Sequence, residues 1–349
     1  MSTGVAKKAT YTVAVIGATG VVGRESLEIL EERRFPLERL RLFASKRSAG
    51  ESLSCQGREW TIEELTPQGP FQGIDFAFIS ATDAVSREYG PMLAEAGVVV
   101  IDDSAVFRMD ADVPLVVPEV NAHALDSARR RIIAIPNCTT TPLVMVLQPL
   151  HEAATIKRVV VTTFQSVSGT GAAAMAELLD QTKALLSFKE VKAEVYPHQI
   201  AFNCLPHIGS FGEGGDCSEE TKIVNETRKI LEAPGMRITA TAVRVPVMRC
   251  HSEAVNIETE RPLKPNEARA LLSGMPGVIV FDDPVRKLYP MPLDVAGKDE
   301  VYVGRVREDH SVTNGLNLWL VSDNLRKGAA LNAIQIAEIL IARHLKRAA

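Results

Sequence analysis

Cys138 stands in Pro136-Asn137-Cys138-Thr139-Thr140-Thr141-Pro142, between a short apolar strand and the apolar helical run Leu143–Leu147. Threonine is a good N-cap and proline suits a first helical turn, so this spacing predicts a helix that begins just after the thiol. The positive end of a helix dipole favours thiolate over thiol, and the thiolate is the nucleophilic form. Most cysteines are inert core residues. This one falls where an open α/β sheet presents the C-terminal ends of its strands, the place where such folds bind ligands. The chemistry open to it is nucleophilic catalysis through a covalent thioester.

A thiol nucleophile needs an acid/base partner. His251, in Arg249-Cys250-His251-Ser252-Glu253, opens a strand far along the chain, and Arg244 precedes it in Arg244-Val245-Pro246-Val247. A lone strand-edge histidine is more often structural. An arginine close by and a candidate nucleophile elsewhere make a general acid/base credible.

A cofactor signal sits at the other end. The turn Gly17-Ala18-Thr19-Gly20-Val21-Val22-Gly23 follows an apolar strand and leads into a helical pattern. Glycines there permit a tight turn and let backbone N–H groups approach a pyrophosphate. The spacing is GxxGxxG rather than GxGxxG, so packing alone would also account for it. Beyond the second strand, where a dinucleotide lacking the 2′-phosphate meets a carboxylate, the chain carries Ser45-Lys46-Arg47-Ser48. Two cations and two hydroxyls suit the extra phosphate of NADP, with use of NAD left open.

Periodicity supplies the elements that must hold these groups. Tyr11–Ile16, Leu40–Ala44, Phe76–Ile79, Val98–Ile101, Leu115–Val117 and Ile132–Ile135 read as short strands, with helices at Val22–Arg34 and Val85–Ala96. Alternation of this kind implies βαβ units and a parallel sheet. After Asn137 the strands lengthen and mix polar with apolar residues: Arg158–Phe164, Ile238–Val245, Ala254–Glu260, Val278–Phe281, Val301–Val306 and Leu316–Ser322. They predict a mixed, mainly antiparallel sheet with one wet face, covered on the other by helices near Gly171–Ser187, Glu219–Glu232 and Asn266–Ser273. The amphipathic stretch Lys327–Leu345 predicts a last helix that returns to the first domain. The expected fold class is therefore α/β: a Rossmann-type dinucleotide-binding domain plus an α+β domain. The boundaries are 1–137, completed by 325–349, and 138–324.

With 349 residues, 46% of them apolar and 23% charged, the chain has the composition of a folded two-domain protein. A net charge of −4 without a basic, aromatic-studded groove points away from nucleic acid. Five cysteines, Cys55, Cys138, Cys204, Cys217 and Cys250, lack CxxC spacing, which argues against a disulfide framework and against a metal site. No apolar run reaches the roughly 20 residues of a membrane span. The expectation is a cytoplasmic enzyme with no metal and no membrane association.

Taken together, these motifs resemble aspartate-semialdehyde dehydrogenase. The resemblance is carried by the glycine turn, Pro-Asn-Cys-Thr-Thr, Gln165-Ser166-Val167-Ser168-Gly169 and Arg244 with His251. Ser104-Ala105-Val106-Phe107-Arg108, Glu219-Glu220-Thr221-Lys222 and Asp323-Asn324-Leu325-Arg326-Lys327-Gly328-Ala329-Ala330 extend it over nearly the whole chain, in the family's order. It implies NADP-dependent, reversible reductive dephosphorylation of L-aspartyl 4-phosphate to L-aspartate 4-semialdehyde, with inorganic phosphate as co-substrate. That step leads to lysine or diaminopimelate, threonine and methionine.

The resemblance also distributes roles. The acyl nucleophile falls on Cys138, the acid/base on His251 and the acyl-orienting amide on Gln165. Arg244 meets the substrate carboxylate and Glu219 the substrate amine. Arg108, Asn137 and Lys222 take the phosphate. Cofactor contacts fall on Gly17, Thr19, Gly20, Val21, Val22, Gly23, Arg47, Ser48, Ser168, Gly169 and Asn324. A homodimer is implied, with room for a tetramer. Two rivals stand beside this reading: a related acyl-phosphate or acyl-CoA reductase of the acetylglutamyl-phosphate or malonyl-CoA type, and a non-catalytic NADP(H)-sensing protein. The Cys-Thr pair, where the acetylglutamyl-phosphate reductases carry Cys-Tyr, favours the shorter substrate.

Overall fold

The computed structural model describes residues 8–69 and 71–347, the last four by backbone alone. The chain divides into two compact units, one of residues 1–137 with 329–349 and one of residues 138–328.

The first unit is built on a seven-stranded sheet. Its strands are β1 (Tyr11–Ile16), β2 (Leu37–Ala44), β3 (Ser52–Cys55), β4 (Arg58–Glu64), β5 (Phe76–Ile79), β6 (Val99–Asp102) and β7 (Ile132–Ala134), in the order β3-β4-β2-β1-β5-β6-β7. All neighbours are parallel except β3 and β4. The central strands are apolar along nearly their whole length because helices cover both faces of a parallel sheet. Helices α1 (Val21–Glu32), α2 (Asp83–Glu95), the single turn α3 (Pro118–Asn121) and the C-terminal helix complete the unit.

Two local features differ from the pattern read in the sequence. The β3/β4 hairpin is absent from that reading. Its turn residues Gln56 and Gly57 both have positive φ, as a two-residue hairpin loop requires. Leu115–Val117 forms a single bridge to Ala134 rather than a strand. Pro114 and Pro118 flank it, neither with an N–H to donate, and Val117 is diverted into the N-cap of α3 with Pro118 in its first turn.

The second unit carries α4 (Thr140–Ala154), β8 (Ile156–Gln165), α5 (Ala172–Leu186), α6 (Ser218–Ile230), β9 (Arg237–Arg244), β10 (His251–Thr259), α7 (Pro265–Ser273), β11 (Val278–Val280), α8 (Pro292–Val295), β12 (Val301–Asp309) and β13 (Gly315–Ser322). Its six strands run in the order β11-β12-β13-β10-β8-β9. The β8–β9 and β11–β12 pairs are parallel and the other three antiparallel. One face is buried in strict alternation, as in β8, where Val159, Val161, Thr163 and Gln165 are buried and their neighbours half-exposed. The C-terminal helix α9 (Leu331–Arg347) begins four residues later than its sequence pattern, behind a wide π-type turn over Arg326–Ala330. Asp323 fixes that turn: its carboxylate accepts from Leu325 N (3.0 Å) and its carbonyl from Arg326 N and Gly328 N (both 3.2 Å).

Candidate active site

In the second unit, the ends of β8, β9, β10 and β13 bring the proposed groups together. β8 ends on Gln165, in register with Arg244 at the end of β9, while β10 begins at His251 opposite Ser322. Helix α6 adds Glu219 in its first turn, where the helix dipole welcomes a carboxylate. Glu220 fixes that end: its carboxylate accepts from Cys217 N at 2.7 Å and from Ala242 N of β9 at 2.9 Å. Glu219 is thereby turned towards Gln165, whose Nε2 donates to its Oε1 at 3.2 Å and to Thr163 Oγ1 at 3.3 Å. Lys222 lies one turn on and pairs with Glu219 at 3.3 Å.

His251 is 1% exposed, and its ring state can be read from its partners. Nδ1 accepts from the backbone N–H of Ser166 at 3.1 Å, which places the proton of the neutral ring on Nε2. Nε2 itself is buried without a hydrogen-bond partner. Burial, and then the nearby Arg244 guanidinium, press the imidazole pKa down to about 3 against the opposing pull of Glu219. The resting ring is thus neutral and presents a donor.

Arg244 is buried too, with Nη1 on Ser166 O at 2.7 Å and an unpartnered Nε. Its guanidinium lies 5.9 Å from the centre of the Tyr196 ring. A Cβ added to Gly169 would stand 3.1 Å from Arg244 Nη1 and 3.2 Å from His251 Nε2, so both groups converge on one place. Arg244 Nη1, which already donates to Ser166 O, and the unpartnered His251 Nε2 meet there, and together they fit a ligand with oxygen acceptors.

Asn324 brackets these loops. Its Oδ1 accepts from Ser166 Oγ (3.2 Å), Ser168 Oγ (3.0 Å) and Cys250 N (3.0 Å). Cys250 has φ +74°, a strained value for a non-glycine residue, directly before His251. The sequence pattern named Asn324 and Ser168 but not this role, and it passed over Ser166, Thr163 and Tyr196.

Cys138 is half-buried, two residues before α4. Thr139 takes the N-cap position in αR geometry rather than in the extended form typical of a capping threonine. A Cβ on Gly328 would lie 3.0 Å from Cys138 Cβ, so glycine there is needed for the approach of the two segments.

The remaining candidates lie in the first unit. Arg108 is buried rather than a solvated cation, with Nη2 on Asp103 O at 2.7 Å, and Asn137 is buried. Gly17 has φ +86°, and a Cβ on it would meet Ser80 O at 2.2 Å. One on Gly23 would meet Gly17 O at 2.3 Å. Packing therefore accounts for these two. Gly20 differs: it is the N-cap of α1, and its added Cβ would touch only Gly17 O, at 3.2 Å. No side chain caps α1 and its first turn holds no acid, which fits the open backbone N–H groups of Val21 and Val22 to a pyrophosphate. Thr19 is half-exposed on the turn. After β2, Arg47 is exposed and Ser48 buried in a 3₁₀ turn without a carboxylate. Among the described residues, no group of three or more His, Cys, Asp or Glu could hold a metal, and no helix is long and apolar enough to cross a membrane.

Comparison with known proteins agrees with this layout. Residues 12–128 match the family described as semialdehyde dehydrogenase, NAD binding domain, and residues 147–327 match semialdehyde dehydrogenase, dimerisation domain. The chain is 52% identical to an aspartate-semialdehyde dehydrogenase of Aquifex aeolicus over 95% of this chain and 98% of that one. For the Bacillus subtilis protein of the same name the figures are 45%, 94% and 96%. Aspartate semialdehyde dehydrogenase II of Vibrio cholerae superposes with a TM-score of 0.93 at 44% identity, covering 95% of this chain and 99% of that one. Another structure of that enzyme, at 43% identity and TM-score 0.93 and covering 96% and 99%, is complexed with ASA. The Candida albicans enzyme with NADP reaches a TM-score of 0.74 at 28% identity, covering 95% and 98%. The chain belongs to the aspartate-semialdehyde dehydrogenase family.

Proposed function

We propose that the chain reversibly converts L-aspartyl 4-phosphate to L-aspartate 4-semialdehyde and phosphate with NADPH, through a thioester on Cys138. The Cys138 thiolate attacks the acyl carbon, the bond to the phosphate oxygen breaks, Arg108 and Lys222 neutralise the departing phosphate, and Asn137 donates a hydrogen bond to it. When bound, NADPH supplies a hydride to the thioester carbon. The resulting oxyanion takes a hydrogen bond from His251 Nε2–H; return of its electrons expels the Cys138 sulfur and releases the aldehyde. In the reverse direction the Cys138 thiolate adds to the aldehyde carbon, and the same Nε2–H holds the oxyanion that forms. Gln165 orients the acyl oxygen, Arg244 binds the substrate carboxylate with its planar fork, and Glu219 receives the amine. Val21, Val22, Thr19 and Gly20 would hold the pyrophosphate, Arg47 and Ser48 the 2′-phosphate, and Ser168, Gly169 and Asn324 the nicotinamide end.

The convergence of Arg244 Nη1 and the unpartnered His251 Nε2 beside Gly169 is the observation that carries this reading. The outward face of the second sheet bears half-buried Phe164, Trp319 and Tyr302, which suits a second copy, so the active form is a homodimer. A reducing cytoplasm suits a reactive thiol at Cys138.

The test is NADPH formation from aspartate semialdehyde, NADP and phosphate. Cys138→Ser should lose more than about a thousandfold in kcat while keeping NADP affinity within about twofold. Faster turnover of another aldehyde, or of an acyl-CoA in the opposite direction, would overturn the substrate. Unchanged turnover of the variant would overturn the thioester, and a monomeric mass in solution the dimer.

A further inference from the structure

Tyr196 meets Arg244 with its ring, and its other contacts all serve to hold that ring in place. Arg244 Cζ lies 5.9 Å from the ring centre, inside the roughly 6 Å over which an aromatic face attracts a guanidinium. The phenol donates to Thr170 Oγ1 at 2.8 Å, in the segment that leads from β8 to α5. Burial holds that phenol above its usual range against the pull of Arg244, so it stays a protonated donor. The apolar part of the ring packs against the cluster that includes Val167, Leu178 and Ile200. The backbone is pinned as well. Glu177, largely buried on α5, accepts from the N–H groups of Glu194, Val195 and Tyr196 at 2.7, 2.5 and 3.3 Å.

A guanidinium carries five N–H donors in one plane and none on its faces. Ser166 O takes Nη1 at 2.7 Å, one corner of that plane, and this single bond leaves the plane free to tilt. Nε, buried without a partner, shares the other edge with Nη2. That edge is a parallel pair of donors spaced for the two oxygens of a carboxylate. A ring on the face removes the tilt: it covers a side that has no donors and leaves the Nε/Nη2 edge open.

We propose that Tyr196 is a positioning residue for the substrate carboxylate: its ring holds the Arg244 guanidinium in the plane that presents Nε and Nη2 to the two oxygens. The bond to Thr170 and the Glu177 anchor hold the ring in turn. This rests on the carboxylate role given to Arg244 above. Tyr196 touches no reacting atom, so it acts on affinity for the substrate and not on the chemistry at Cys138.

In turnover, Tyr196→Leu should raise KM for aspartate semialdehyde about tenfold, with kcat within about threefold. Tyr196→Phe keeps the aromatic face and should hold KM within about threefold of the parent. Arg244→Lys keeps the charge and loses the fork. Adding Tyr196→Leu to it should raise KM by less than about twofold more, because no plane is left to hold. A crystal structure of Tyr196→Leu without substrate gives a readout independent of the reaction: the Arg244 guanidinium should leave its parental plane or take more than one orientation in an unchanged fold. The proposal is overturned if Tyr196→Leu keeps the parental KM, if its loss falls on kcat, if Tyr196→Phe is as impaired as Tyr196→Leu, if the two changes add in full, or if the guanidinium stays in place. Should Tyr196→Leu fail to fold, Tyr196→Met takes its place in every arm. A parental KM in Arg244→Lys, or no aspartate-semialdehyde turnover in the parent, would instead sink the functional reading, and the crystallographic arm would still decide whether the ring sets the guanidinium plane.

Discussion

His251 makes a quantitative demand on the protein's response to acid. Unfolded, an imidazole takes up a proton as pH falls through about 6.5. Folded, this one resists until about 3. Between those values the unfolded state binds more protons, so stability contributed by the neutral ring is complete above about 6.5 and is lost progressively on the way to 3. At pH 5 the unfolded ring is almost fully protonated and the folded one almost not at all. Integration from pH 7 to pH 5 gives a loss of roughly 2 kcal/mol from this one group. Gln is a neutral replacement that cannot take the proton. The difference in unfolding free energy between the parent and His251→Gln should therefore shift by roughly 2 kcal/mol between the two pH values, the parent losing more. Other titrating groups, such as His151, cancel in that comparison. Two units need not unfold together, so the measurement should use urea with the fluorescence of Trp319, in a Trp60→Phe background that silences the first unit. An unchanged difference at the two pH values, or one in which the variant loses more, would refute the neutral buried ring.

Three further predictions rest on where a methyl group would fit. Gly20→Ala meets only one backbone oxygen at 3.2 Å, so it should fold normally and weaken NADP binding about tenfold. Gly23→Ala, at 2.3 Å from Gly17 O, should instead reduce the yield of folded protein; calorimetric titration and thermal melts separate the two outcomes. Gly169→Ala inserts its methyl between Arg244 Nη1 and His251 Nε2 and should cut kcat/KM by about tenfold or more while moving the melting temperature by less than about 4 °C. A variant with full activity would mean that those two side chains do not share a ligand.

Features written in local sequence were legible, and those created by pairing between distant segments were not. The strand, glycine turn and helix of β1–α1 are contiguous, and their order can be read directly. Cys138 and His251 declare themselves by residue type. The hairpin β3/β4 was missed because its first strand is four residues of mixed polarity, and its placement depends on docking beside β2. Glu253 was passed over for a related reason. The sequence pattern singled out His251 at the start of this strand and gave no role to Glu253, whose burial comes only from the ladder with β8 and β13. The glycine turn shows the reverse case: a pattern read as one functional motif separates into two glycines demanded by packing and one that leaves the helix end open.

The electrostatics of the second unit tie these pieces together. His251 is held neutral chiefly by burial and next by Arg244, with Glu219 pulling the other way. On the proposed roles, a substrate carboxylate docking on Arg244 neutralises that guanidinium, and an amine docking on Glu219 neutralises the opposing pull. The two changes offset, so occupation of the site leaves the ring near its resting state and its proton on Nε2. Lys222 strengthens the balance by already sharing Glu219 at 3.3 Å. What the site then needs from His251 is a directed hydrogen bond to a developing oxyanion, not a strong acid. The Ser166 N–H on Nδ1 supplies that direction by fixing the tautomer, and Asn324 supplies the rigidity by holding Ser166, Ser168 and the strained Cys250 on one oxygen. Strain before His251 and three donors on Asn324 are therefore parts of one device, and weakening either should misdirect the donor before it unfolds the protein.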